Sequence, residues 1–304
     1  MQQWLGSRSY DAGRFPPERV AAERSGTISI CLPVRNEAAT LGPIVERLVA
    51  LRDGGVVDQV VVVDSASADG CAELAQGLGA EVHQEAELFP ELGQVLGKGD
   101  AMWRALAVLS GEIVCYLDAD SEDLDARVAC ALCGPIACGE GVDFVKGAYG
   151  RPFRVEGVEL PDGGGRVTEL TARPLLNLLY PELAGFRQPL AGEVAASRGL
   201  LERLPFATGY AVEIAMLIDA WALVGLDAMA QVDIGTRQNR HQPLPELAPM
   251  AYSVVRAVAT RLEREGRLTG AESAEALELL APVGTTMELR AVPLSERPPL
   301  APSS

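Results

Sequence analysis

The sequence predicts an α/β fold built on a parallel sheet with helices on both faces. Two observations carry that reading: short β-branched apolar runs alternate with segments of helical period, and polar clusters fall directly after the apolar runs. Thr27–Val34 is the first buried strand, and Ala38–Arg52 follows as a helix with Leu41, Ile44, Val45, Leu48 and Leu51 on one face. Val56–Val63 is the second strand. The polar run Asp64 to Gly70 closes it and supplies N-caps for a helix near Ala72–Leu78. A short strand at Ala80–His83, a helix at Asp100–Leu109 and a third buried strand at Glu112–Leu117 complete the series, with a helix at Glu122–Ala131 beyond it. Sheets of this kind bind ligands at the carboxyl ends of their strands.

The second half is read more coarsely. Asp143–Tyr149 and Ala228–Ile234 are strands, Pro161–Arg166 is a glycine-rich loop, and Leu175–Leu183, Ala211–Val224 and Pro243–Gly266 are helical. Residues 1–25 read as a lead-in packing on the body, and the rest of the chain divides into halves at 26–150 and 151–304. Its tail from Glu296, rich in proline, reads as loose.

Composition removes several functions. With 26 Lys and Arg against 42 Asp and Glu, the formal net charge of −16 argues against nucleic-acid binding and against docking on anionic lipid. No signal peptide is expected from the opening Met1-Gln2-Gln3-Trp4-Leu5, and no apolar stretch is long enough to span a bilayer. The six scattered cysteines read as buried thiols in a reducing cytoplasm. Cys130, Cys133 and Cys138 lack the second pair or histidine that a zinc knuckle needs. Cations are scarce, so the position of each Lys and Arg is informative.

Four clusters can carry chemistry. Asp118-Ala119-Asp120 directly follows the third buried strand, and two carboxylates there either cap the next helix or hold Mg²⁺ or Mn²⁺ against a diphosphate. Lys98, between Gly97 and Gly99, opens a helix where a phosphate finds amide donors and a positive dipole. It lacks the spacing and the Ser or Thr of a Walker A loop, and its plain alternative is a solvated loop lysine. Arg35-Asn36-Glu37 and Asp64-Ser65 follow the first two strands, either as helix caps or as one wall of a nucleotide pocket, with Asn36 and Asp64 able to bond base or ribose. Gly163-Gly164-Gly165-Arg166 offers backbone amides and a guanidinium fork to an anion, or is simply a glycine turn.

These motifs, in order, resemble the GT-A-fold nucleotide-sugar transferases, and the second half resembles one family, the retaining glucosyl-3-phosphoglycerate synthases. The matching segments include Leu32-Pro33-Val34-Arg35-Asn36-Glu37, Val62-Val63-Asp64-Ser65, Gly97-Lys98-Gly99, Leu117-Asp118-Ala119-Asp120 and Phe144-Val145-Lys146. More specific to the family are Gly164-Gly165-Arg166-Val167-Thr168, Gln188-Pro189-Leu190-Ala191-Gly192-Glu193, Gly209-Tyr210-Ala211-Val212-Glu213-Ile214, Gln231-Val232-Asp233 and Glu296-Arg297-Pro298-Pro299. The resemblance implies a Rossmann-like, mainly parallel sheet with a helical C-terminal acceptor-binding part. It also implies UDP-glucose as donor, 3-phospho-D-glycerate as acceptor, a divalent cation and retention at the anomeric carbon. On the same basis Pro33, Arg35, Glu37, Ser65, Lys98, Asp118 and Ala119 hold the donor, and Asp120 the metal. Gly165, Arg166, Val167 and Thr168 grip the acceptor, with Arg240 beside them, and Glu213 contacts the transferred glucose. Family members are often dimeric, but no homodimer interface is legible.

Two departures stand out. The middle of the acidic motif is more often Ser than Ala119, and the metal-binding His of the family, which precedes Arg-Asn, is displaced in Asn239-Arg240-His241. In an extended segment residues two apart share a face, so His241 is expected to reach the same metal, the alternative being a surface histidine. GDP-mannose is the competing donor, and an inactive GT-A-like scaffold is the reading from another class.

Overall fold

The computed structural model describes residues 2–120, 125, 127–155, 158–160, 164–237, 242–268, 278–283 and 286–301. An eight-stranded sheet forms its centre, in the spatial order Ser9–Asp11, Met229–Thr236, Phe144–Gly150, Val194–Ser197, Ile113–Tyr116, Ile28–Val34, Gln59–Asp64, Glu81–Gln84. Every neighbouring pair is parallel except the two that Val194–Ser197 makes with Ile113–Tyr116 and Phe144–Gly150. The expected mainly parallel α/β sheet is thus present, with strands of both halves in one sheet.

The period of two in the strands divides the core. Ile28, Ile30, Leu32 and Val34 face one side with Val60 and Val62, against Leu41, Ile44, Val45 and Leu48 of the Ala38–Asp53 helix and the apolar face of Arg127–Ala137. Cys31, Val61, Val63, Val114 and Tyr116 face the other, against the Lys98–Ala105, Val212–Val224 and Leu244–Arg264 helices. Each such Val, Ile or Leu contributes about 1.5–3 kcal/mol on burial, so the sheet is anchored from both faces. The six cysteines are free thiols, five of them buried.

The structure departs from the reading of the sequence or adds to it at four points. The lead-in adds Ser9–Asp11 to the edge of the main sheet, pairing with Gln231, Val232 and Asp233. Val194–Ser197 escaped the sequence reading because Val-Ala-Ala-Ser has little apolar contrast. The helix after the second strand starts on Gly70, at φ 81°, with no side-chain cap from that residue; Asp69 instead accepts from Cys71 N (3.2 Å) and Ala38 N (2.8 Å). Most consequentially, the tail is docked rather than loose. Glu296–Arg297 pairs with Phe206–Ala207, Arg297 donates twice to buried Asp100 (2.6 and 2.8 Å), and Trp103 Nε1 donates to Pro298 O (2.8 Å). Proline removes donors but leaves every carbonyl free to accept.

Candidate active site

One cleft of about 1590 Å³ runs along the carboxyl edge of the sheet. Arg35 and Glu37 reach it from the end of Ile28–Val34, Ser65 from Gln59–Asp64, Glu85 from Glu81–Gln84 and Asp118 to Asp120 from Ile113–Tyr116. Arg151 enters after Phe144–Gly150 and Arg237 after Met229–Thr236. Because Val194–Ser197 runs the other way, its leading residues Gly192 and Glu193 arrive at the same edge.

At the centre sits Lys98. Its Nζ donates to Asp118 Oδ1 (2.5 Å) and lies 2.9 Å from Glu213 Oε1, in the first turn of the Val212–Val224 helix. Burial opposes the ammonium charge, but the two carboxylates outweigh it and hold Lys98 well above the usual lysine range. Gly192 lets this triad close: a Cβ there would lie 2.1 and 2.4 Å from the Asp118 oxygens and 2.4 Å from Lys98 Nζ. The glycines beside Lys98 meet the protein's own backbone, and Gly97 also lines the cleft. Gly97 has φ 88°, and a Cβ on Gly99 would stand 1.9 Å from Ala207 O.

A second layer of charge lies beneath. Lys146 is 1 % exposed, donates to Ala191 O (2.7 Å), and is pushed down to about 8 by burial, with Glu213 opposing the shift. Glu193 is also buried; desolvation, then the Asp118 charge, raise its carboxyl, with Arg237 3.7 Å away. Arg151 donates to the Tyr149 hydroxyl (2.9 Å) with its guanidinium 5.2 Å from that ring. Sequence reasoning passed over Lys146, Glu193, Arg151 and Arg237 as site residues. A lysine inside an apolar strand, and arginines immediately after strands, are the signals that could have found them.

Most sequence-expected residues meet in this cleft: Pro33, Arg35, Glu37, Ser65, Lys98, Asp118, Ala119, Asp120, Gly165, Arg166, Val167, Thr168 and Glu213 all line it. Ala119 also packs in the core, and its carbonyl accepts from Thr40 Oγ1 (2.6 Å). The loop at 164–168 is built on two glycines. A Cβ on Gly164 would press to 2.6 Å from Arg151 O, and Gly165 takes φ 68°. Arg166 bonds Gln242 O, and buried Thr168 opens a π-helical turn, Thr168–Ala172, of a kind that recurs at functional sites.

Asn36 and Asp64 brace the wall instead of lining it. Asn36, at φ 57°, accepts from Ala68 N (2.9 Å), while Asp64 is buried and accepts from Gln84 Nε2 (3.0 Å) and Ser67 N. Arg240 and His241, expected to touch acceptor and metal, lie outside the described residues, as does Asn239. Among the described residues no three His, Cys, Asp or Glu cluster as a metal cage, and no helix is long and apolar enough to cross a membrane.

Residues 29–131 match the model of glycosyl transferase family 2. Over its full extent the chain is similar to the glucosyl-3-phosphoglycerate synthase of Mycolicibacterium smegmatis, 41 % identical across 98 % of this chain and 97 % of that one. The chain belongs to the glucosyl-3-phosphoglycerate synthase family. Among solved structures, the Mycobacterium tuberculosis glucosyl-3-phosphoglycerate synthase in complex with Mn²⁺, UDP-glucose and phosphoglyceric acid superposes with a TM-score of 0.80. It is 42 % identical over 93 % of each chain. The mannosyl-3-phosphoglycerate synthase of Rubrobacter xylanophilus gives a TM-score of 0.91 at 49 % identity, covering 98 % of this chain and 96 % of that one. A glucosyl-3-phosphoglycerate synthase fold therefore also accommodates a relative named for mannosyl transfer.

Proposed function

We propose that this chain transfers glucose from UDP-glucose to 3-phospho-D-glycerate with retention at the anomeric carbon, giving glucosyl-3-phosphoglycerate. The observation that carries the reading is Lys98 held between Asp118 and Glu213 at the middle of one cleft. Strand-end polar groups occupy one arm of that cleft, and Arg151, Arg166 and Arg237 the other. Pro33, Arg35, Glu37 and Ser65 bind the uridine and diphosphate arm, with Lys98, Asp118 and Ala119 at its inner end. Gly165, Arg166, Val167 and Thr168 orient the acceptor's phosphate and carboxylate, which bidentate guanidinium recognition suits.

Asp118 and Asp120 present hard oxygens from one strand end. Magnesium-type ions on nucleotides need only one or two carboxylates beside the phosphates, so these residues fit such a cation, with Asp120 as its protein ligand. When bound, Mg²⁺ or Mn²⁺ supplies charge neutralisation at the leaving diphosphate. Lys98 adds its own positive charge on the same oxygens. Arg166 and Thr168 hold the acceptor hydroxyl against the anomeric carbon. Glu213 is tied to Lys98 at 2.9 Å, which favours attack on the donor's front face over a covalent glucosyl–Glu213 intermediate. The hydroxyl proton then passes to a phosphate oxygen of the donor. The free thiols favour a reducing, cytoplasmic setting.

The test is UDP release from UDP-glucose, 3-phosphoglycerate and Mg²⁺, compared with Asp120→Ala. Release no greater than in that variant removes the enzyme reading and leaves an inactive GT-A-like binder. GDP-mannose as donor is the second reading, favoured by the 49 % identity to the Rubrobacter mannosyl enzyme. A GDP-mannose arm of the same assay separates the two.

A further inference from the structure

Glu85 lies just past the end of Glu81–Gln84, at the nucleotide arm of the cleft, and none of the donor assignments above uses it. It lines the cleft while being 0 % exposed, an unusual setting for a carboxyl. One oxygen, Oε2, accepts from the Ser65 hydroxyl; the other, Oε1, is buried without any hydrogen-bond partner. A buried acceptor left unmade is costly, so its persistence asks for a ligand.

We propose that Glu85 reads the nucleobase edge of the donor, through Oε1 directly and through the Ser65 hydroxyl that it orients. With its proton committed to Glu85, the Ser65 oxygen turns its lone pairs to the cleft and acts as an acceptor. The inference rests on the reading of this cleft as a nucleotide-sugar site.

Protonation sets the preference. Guanine offers two adjacent N–H donors, which match an ionised carboxylate. Uracil offers a single N–H between two carbonyls, which match a neutral carboxyl that both accepts and donates. The charged groups facing Glu85 are Asp100 and Arg104 from the Lys98–Ala105 helix, Arg35 from the first strand end and Arg297 from the docked tail. Burial, as the largest influence, pushes the carboxyl up to about 7, so both forms are populated near neutrality. Glu85 is thus a specificity-determining residue. It favours a uridine donor when neutral and a guanosine donor when ionised.

Calorimetric titration of the full chain with UDP and with GDP, at about pH 6 and about pH 8.5, tests this. The preference for UDP over GDP should fall about tenfold across that range. Comparing the two nucleotides at each pH cancels the titration of their own phosphates. In Glu85→Gln, which keeps volume and the oxygen facing Ser65, the ratio should stay constant with pH and favour UDP. An unchanged slope in that variant, or a flat ratio in the wild type while both nucleotides bind, overturns the inference and leaves the cleft reading intact. Binding of neither nucleotide overturns both. Should Glu85→Gln fail to fold, the wild-type pH slope alone decides.

Discussion

Adding one methyl group at Gly192 should uncouple activity from stability. The new Cβ would fall 2.1 Å from one Asp118 oxygen and 2.4 Å from both the other and Lys98 Nζ, whereas the nearest obstacles are ends of flexible side chains rather than backbone. Asp118 and Lys98 side chains, 23 % and 27 % exposed, have room to retreat toward the cleft, so the fold survives. The retreat must be about 1 Å, and a displacement of that size at reacting groups costs about 100-fold in rate. Losing outright the contact proposed for Lys98 with the leaving diphosphate would cost about 100- to 1,000-fold, the usual range for one preorganised donor. We therefore expect Gly192→Ala to lower kcat/KM for UDP-glucose by about 100-fold or more, with unfolding free energy changed by less than about 2 kcal/mol. Coupled UDP-release kinetics and urea unfolding on the same preparation read both quantities. Wild-type turnover in Gly192→Ala would refute the claim that the Lys98–Asp118 pair works in the closed geometry. Loss of folding would refute the claim that the added strain stays in the cleft.

Three further outcomes follow from the same structure. Arg297→Ala strips two hydrogen bonds from Asp100, whose side chain is fully buried and keeps Arg104 Nε (3.2 Å) and Leu96 N (3.0 Å); the expected loss is about 2–3 kcal/mol by urea unfolding, with weakened UDP binding through the Gly93–Gly97 loop. A loss within about 1 kcal/mol would mean that the tail is incidental. Glu85 has a carboxyl raised in the folded state, so its contribution to stability is present below its unfolded value and lost as pH rises toward about 7. Glu85→Gln should then gain on the wild type between about pH 5 and about pH 8, by up to about 3 kcal/mol, in unfolding without nucleotide; a constant difference contradicts this. Lys146 is lowered by burial to about 8, so below that pH the folded state carries the cost of its charge. Lys146→Met should remove the part of the stability gain that the wild type shows as pH rises from about 8 toward about 10, and a profile identical to the wild type would contradict the assignment.

The sheet and most of its helices were legible because both obey one period each. Val60 to Val63 alternate between two cores, and Leu41, Ile44, Val45 and Leu48 share a helix face. Strand ends followed by Arg35, Ser65 and Asp118 announced the cleft for the same reason, since parallel strands deliver their carboxyl ends to one edge. What stayed hidden depends on contacts between distant segments. Val194–Ser197 has no pattern of its own and is a strand only because Ile113–Tyr116 and Phe144–Gly150 leave a slot between them. The docking of Arg297 on Asp100 spans nearly 200 positions, and composition alone made that proline-rich tail look unstructured. Asn36 and Asp64 show the converse. Polar residues at a strand end suit either caps or ligand groups, and here their oxygens accept from neighbouring backbone and from Gln84. Gly97, Gly99 and Gly192 likewise stand where the protein approaches itself, a requirement invisible until the neighbours are placed.

The most direct test is the product itself. Proton NMR of the reaction of purified protein with UDP-glucose, 3-phospho-D-glycerate and Mg²⁺ or Mn²⁺ should show one new glucosyl species carrying the acceptor. Its anomeric configuration should be that of the donor, and the signal should be lost with Asp120→Ala. A product of inverted configuration would contradict front-face transfer. Free glucose and UDP with unmodified 3-phosphoglycerate would contradict the assignment of the cleft as a whole.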